Sequence, residues 1–252
     1  MSQIKNIDVI VEARMTSTRL PGKVLLPGAG KPMLAHMIER LKRIPEVTRV
    51  IVATTENKSD DAIAVLAREM GAGCFRGSEE DVLGRVVLAA QRFKTDLIVE
   101  ITGDDPLADP GISSSVIRTF LEHAGEVDYV ANDLEETFPI GFNTRAFPRE
   151  LLERVERKTS HPVDREHVVN YFCKHPAEFR LRNVAAEGPL RRTDIRLTLD
   201  TREDYEVIRS TFSALYPQDP AFTAADIIAY LDAHPAVRDM NKAVQQRTYT
   251  YD

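Results

Sequence analysis

Short apolar runs and helix-spaced segments take turns along the first half of this chain, and that alternation constrains the fold more than any other feature. Ile7-Asp8-Val9-Ile10-Val11, Val50-Ile51-Val52-Ala53, Cys74-Phe75-Arg76, Leu97-Ile98-Val99-Glu100-Ile101-Thr102 and Asp128-Tyr129-Val130-Ala131 read as strands. Between them, Leu34, Met37, Ile38 and Leu41 keep helical spacing, as do Ile63, Leu66, Ala67 and Met70, then segments near 80–93 and 110–121. Parallel strands need crossover connections and helices supply them, so the pattern predicts an α/β fold with a mainly parallel sheet flanked by helices. Strands around Phe179-Arg180-Leu181 and Arg196-Leu197-Thr198-Leu199, a helical patch over 164–174, and helices near 201–215 and 223–233 complete it. Between Asn132 and Pro148 the alternation stops, and this stretch reads as an excursion covering a site. With no repeat, low-complexity tract or composition break, 1–252 reads as one domain.

The first strand is followed by Glu12-Ala13-Arg14-Met15-Thr16-Ser17-Thr18-Arg19-Leu20-Pro21-Gly22-Lys23. A loop leaving the carboxyl end of a strand in an open α/β sheet is where such folds hold nucleotides. Arg14 and Arg19 each offer a bidentate fork for phosphate oxygens, and Lys23 adds a mobile point charge. Crowded cations repel one another unless a polyanion joins them, so a triphosphate is the expected partner. A merely solvated basic loop is the competing reading; Pro21 and Gly22, which shape a turn, weigh against it.

The formal charge of −6 disfavours nucleic acid as a partner, since that needs a broad basic field. A local basic loop on an acidic chain suits a small anion instead. Cys74 and Cys173 form no close pair and read as reduced thiols of a cytoplasmic protein. Met1–Asn6 lacks the pattern of a signal peptide, and no apolar run approaches the roughly 20 residues that span a bilayer, so no membrane association is expected.

Asp104 and Asp105 follow a strand, between Gly103 and Pro106. Two acids near a basic loop repel each other unless a cation joins them to phosphate, and Mg²⁺ takes such mixed ligands. Asp200 ends Leu197-Thr198-Leu199 just before a helix, where an ordinary cap is the competing role. Gly28-Ala29-Gly30-Lys31 is no phosphate loop, because Leu25 replaces the first glycine and Pro32 the Ser or Thr; Met33 likewise breaks a dinucleotide fingerprint. His161, His167 and His175 match no common zinc spacing, and no Gly-x-Ser-x-Gly supports a serine hydrolase.

Four stretches together resemble the cytidylyltransferases of the SpsF spore-coat polysaccharide type, relatives of the CMP-sialic and CMP-ulosonic acid synthetases. They are Ala13 through Lys23; Phe75-Arg76-Gly77-Ser78-Glu79-Glu80-Asp81-Val82-Leu83; Ile101-Thr102-Gly103-Asp104-Asp105-Pro106-Leu107; and Arg196 through Tyr205, and their order extends the likeness over about 6–215. The resemblance implies a Rossmann-like nucleotide-diphospho-sugar transferase fold and Mg²⁺-dependent transfer of CMP from CTP, with pyrophosphate leaving. It implies that Arg14, Arg19 and Lys23 hold the triphosphate, that Asp104 and Asp200 hold Mg²⁺, and that Ala13, Ser17, Thr54, Thr55, Arg76 and Ser78 border the nucleotide. Related enzymes often pair, which makes a homodimer through 132–175 an expectation.

The chain departs from the family pattern in the acceptor region and at two further positions. Relatives usually carry Gly-x-Asp-Val-Glu-Val-Phe where this chain reads Gly141-Phe142-Asn143-Thr144-Arg145-Ala146-Phe147. An Asp and a Glu thus become Asn143 and Arg145, which predicts a small anionic acceptor, more anionic than in relatives or differently shaped, bound by Asn143 and Arg145 with Arg145 meeting its carboxylate, phosphate or phosphonate. Glu12 stands where Gln is common and Glu100 where Arg is common. The competing readings are a glycosyltransferase or sugar-1-phosphate nucleotidyltransferase on the same fold, and a non-catalytic nucleotide-binding subunit.

Overall fold

A computed structural model describes residues 4–246 of the chain. Its elements are β1 (Ile7–Glu12), β2 (Pro27–Gly28), β3 (Lys31–Pro32), α1 (Met33–Leu41), β4 (Arg49–Thr55), α2 (Asp61–Glu69), β5 (Gly73–Gly77) and α3 (Val82–Phe93). Then come β6 (Leu97–Thr102), α4 (Pro110–Glu122), β7 (Tyr129–Ala131), β8 (Arg145–Pro148), α5 (Arg149–Lys158), α6 (Pro162–Glu166) and α7 (Asn170–Lys174). The chain continues through β9 (Leu181–Asn183), α8 (Arg202–Leu215), α9 (Ala224–Ala233) and α10 (Pro235–Arg238). The main sheet has seven strands in the order β5-β4-β1-β6-β8-β7-β9. Only β8 runs against the others, antiparallel to both β6 and β7.

Strand alternation divides the interior. Val9 and Val11 of β1 face α1, α2 and α4, meeting Met37, Ile63 and Phe120. Ile10 faces the other way, into a core with Leu83 and Val86 of α3, Leu152 of α5 and Phe172 of α7. A third core joins Phe142 and Leu197 to Phe212 of α8 and Ile227 of α9. No helix among the described residues is long and apolar enough to cross a membrane.

The structure departs from the sequence reading in three places. The excursion expected over 132–148 contains β8, which fills an interior place in the sheet, and it is followed by α5. Arg196–Leu199, read as a strand, pairs only through an isolated bridge to Ile140. The single helix expected over 164–174 is broken into α6 and α7.

Gly141 (φ 109°) explains how that non-strand segment is held. A Cβ there would strike the backbone of Leu197 and Thr198, so only glycine lets the two chains lie so close. Ile140 O accepts from Leu197 N at 2.6 Å, and Asp104 O accepts from Leu199 N at 2.6 Å. These bonds carry the chain to Asp200 directly beside the end of β6.

Candidate active site

A cleft of about 450 Å³ opens at the carboxyl ends of β1 and β6, lined on one side by the basic loop and on the other by the 166–173 segment. The loop that follows β1 is tied from behind. Met15 N donates to Asp60 Oδ1 at 2.9 Å, and Gly22 N donates to Met15 O at 2.8 Å. Asp60 is fully buried and also accepts from the hydroxyls of Thr54 (3.2 Å) and Thr55 (2.5 Å) at the end of β4.

Lys23 is the centre of the site. Its Nζ lies 3.2 Å from Asp104 Oδ2 and 2.8 Å from Asp200 Oδ1, and Arg19 Nη2 lies 2.9 Å from Asp200 Oδ2. Three stretches far apart in sequence thus meet at one point. Burial alone would lower the Lys23 pKa, but Asp104 and Asp200 hold the ammonium above its ordinary range. Asp104 is likewise held below the usual carboxylate range, since Lys23 and hydrogen bonds outweigh its burial. Asp105 is shut in beside it and is pushed up to about 8 by burial and by the Asp104 charge. Gly103 makes the turn possible: a Cβ would collide with the Glu12 carbonyl, which instead accepts from Gly103 N at 3.0 Å.

The cap at the start of α8 belongs to Thr201 and Asp204, which form a reciprocal capping box. Asp204 also accepts from Arg196 Nε at 2.9 Å. The Asp200 carboxylate is therefore left to face Arg19, Lys23 and Arg196 rather than to cap the helix.

Ala13, Arg14, Ser17, Arg19, Lys23, Asp104, Asp200, Asn143 and Arg145 all line the cleft. Arg14 sits at its rim, 3.8 Å from Glu79 and 3.7 Å from Glu166. Thr54, Thr55, Arg76 and Ser78 are not among the lining residues. The threonines are buried against Asp60, while Arg76 donates to Thr55 O, Asn57 O and Asp61 on the outer side. Ser78 Oγ accepts from Asp81 N at 3.1 Å, at the start of α3. The guanidinium of Arg145, expected to meet an acceptor anion, is instead ion-paired with Glu100 at 2.8 Å and with Asp133.

Two cleft residues escaped the sequence reading. Arg85 lies on the apolar face of α3 and is 2% exposed; an arginine at an inward helical position was the signal. Asp133 carried no local signal, because only the fold brings it to Arg145. Of the three histidines, His167 lines the cleft, His161 caps α6 and His175 stacks on Tyr171 at 4.0 Å.

The chain is similar to known proteins along most of its length. The profile of the cytidylyltransferase family matches residues 9–225. The spore coat polysaccharide biosynthesis protein SpsF of Bacillus subtilis is 31% identical over 237 residues, spanning 92% of this chain and 96% of its own. A cytidylyltransferase structure from Leptospira borgpetersenii serovar Hardjo-bovis superposes with a TM-score of 0.88 at 33% identity, covering 97% of this chain and 99% of that one. The 3-deoxy-manno-octulosonate cytidylyltransferase of Geobacter sulfurreducens is 38% identical over 120 residues, 47% of this chain and 46% of its own. With the family profile covering most of the sheet and two relatives matched nearly end to end, the chain belongs to the cytidylyltransferase family.

Proposed function

We propose that this enzyme transfers CMP from CTP to a sugar or related acid, with release of pyrophosphate, and that Mg²⁺ assists. The observation that carries the reading is the convergence of Arg19 and Lys23 with Asp104 and Asp200 in one cleft. Arg14, Arg19 and Lys23 take the triphosphate oxygens and neutralise the charge that gathers on the departing pyrophosphate. Lys23 Nζ stands between two carboxylates that face a common point, which supports a cation there once Lys23 turns to phosphate. Mg²⁺ fits that donor set, since it takes one or two carboxylates and completes its shell with phosphate oxygens and water. Bound there, it would supply charge neutralisation at the α-phosphate. The acceptor oxygen attacks the α-phosphorus in line, so the work of the protein is positioning.

Likeness to SpsF supports a product used in surface polysaccharide synthesis. The test is calorimetric titration of the protein with CTP, UTP, GTP and ATP, each with Mg²⁺, followed by a pyrophosphate-release screen of acceptors. Selective CTP binding is expected. Preference for UTP or dTTP would move the assignment to a sugar-1-phosphate nucleotidyltransferase, and no binding of any would make the chain a non-catalytic relative.

A further inference from the structure

Glu12 ends β1 inside the cleft, and both of its carboxylate oxygens are shut away from solvent with no hydrogen-bond partner among the described residues. Buried carboxylates are otherwise paired, so one left alone inside a substrate cleft is a receptor waiting for a donor. Its charged surroundings come from three elements: Glu100 on β6, Arg85 on α3 and Arg145 on β8. Arg145 is already committed to Glu100 and Asp133. Arg85 donates to the carbonyl of Ser78 and forms no bond to Glu12. Three carboxyl groups in this wall therefore share two guanidinium groups, and Glu12 is the one left without a bonded cation. Burial and the Glu100 charge hold the Glu12 carboxyl well above the usual carboxylate range, against the pull of Arg85 and Arg145.

We propose that Glu12 is a specificity-determining residue that receives an ammonium group carried by the acceptor, so that the enzyme selects amino-substituted sugar acids over their hydroxyl counterparts. The inference rests on the CMP-transfer reading and adds the chemical class of its acceptor. The triphosphate occupies the cations of the basic loop, which leaves the Glu12 wall to the other substrate. An ammonium there supplies the counter-charge that lets Glu12 ionise and satisfies its oxygens in a single contact.

The experiment uses matched pairs of sugar acids that differ only in an amino or a hydroxyl group, 8-amino-3,8-dideoxy-manno-octulosonate and 3-deoxy-manno-octulosonate among them. Each is titrated calorimetrically into CTP-loaded protein without divalent metal, and turned over with Mg²⁺ by pyrophosphate release. An amino member is expected to be favoured by on the order of tenfold to a hundredfold, the range for a charge-assisted buried hydrogen bond. Glu12→Gln, which keeps shape and removes charge, should erase that preference while leaving CTP affinity in place. Equal or better use of the hydroxyl members, no binding of any amino member, or a preference unmoved by Glu12→Gln overturns the proposal. Loss of CTP affinity in Glu12→Gln with acceptor choice unchanged also overturns it, by giving Glu12 to the cytosine amino group. Failure of the unaltered protein to bind CTP strikes the CMP-transfer reading itself, whereas intact CTP binding without amine preference strikes this inference alone.

Discussion

Glu100 on β6 and Arg145 on β8 stand opposite each other in the antiparallel register, with Arg145 Nη1 2.8 Å from Glu100 Oε2. The two positions singled out as departures in the sequence are thus cross-strand neighbours here, and their opposite charges meet. The Glu100 side chain is 3% exposed, and Arg145 also holds Asp133.

Arg145→Ala is therefore expected to act first on stability. It strands two carboxylates in the interior, a change that costs about 3–5 kcal/mol when a buried pair loses one partner. Urea unfolding would show this as a lower midpoint. A triple variant with Arg145→Met, Glu100→Gln and Asp133→Asn should recover most of the loss, because no uncompensated charge remains.

Asp104→Asn should cost on the order of a hundredfold or more in turnover, the scale seen when one group that stabilises developing charge is removed. Asp104 also pairs with the buried Lys23, so some drop in melting temperature is expected beside the larger loss of turnover. The check is pyrophosphate release across a Mg²⁺ titration; near-normal turnover at low millimolar Mg²⁺ would remove Asp104 from the metal role.

Arg19→Lys keeps the charge and loses the planar fork. Arg19 faces Asp200 at 2.9 Å in the described structure, and its second donor face is the one expected to grip phosphate. A loss of roughly tenfold in CTP affinity is expected, about the worth of one charge-assisted hydrogen bond. Calorimetry reads it directly, and unchanged affinity would assign Arg19 to Asp200 alone.

The Glu12 carboxyl is held above its ordinary value of 4.5, so the folded state binds its proton more tightly than the unfolded chain does. Stability from this group is then lost as pH rises from 4.5 through the folded value. Glu12→Gln should melt higher than the parent at neutral pH, with the difference closing below about 4.5, the value of the unfolded carboxyl. Thermal melts across that range test the sign.

His36 sets the opposite slope. Its Nε2 donates to Gly28 O at 2.6 Å, its ring stacks on Phe212, and burial lowers its pKa below 6.5. The unfolded chain takes up the proton first, so stability should fall as pH drops below 6.5. His36→Gln, which retains a donor toward Gly28, should flatten that part of the profile.

Much of this was legible in the residues. β6 was read with its bounds intact, because Leu97–Thr102 is a nearly unbroken apolar run closed by a turn. Asp104 and Asp200 were legible because each follows an apolar run, and Lys23 because it stands in a loop crowded with cations. β8 was not, since Arg145-Ala146-Phe147-Pro148 is four residues long and carries a charge and a proline. Its place depends on a register supplied by β6 and β7. Thr54 and Thr55 follow a strand as nucleotide-facing residues do, but Asp60, a few residues on, turns both hydroxyls inward.

That same Asp60 sets the state of the loop that, on the proposed function, receives the nucleotide. One carboxylate, sealed beneath the sheet's edge, grips the Met15 amide and the hydroxyls of Thr54 and Thr55 at once. The loop bearing Arg14 and Arg19 is thus anchored before any nucleotide arrives, and its conformational entropy is surrendered during folding rather than during association. Preorganisation of this kind lets attraction between phosphate and cation appear as affinity instead of being consumed in ordering the loop.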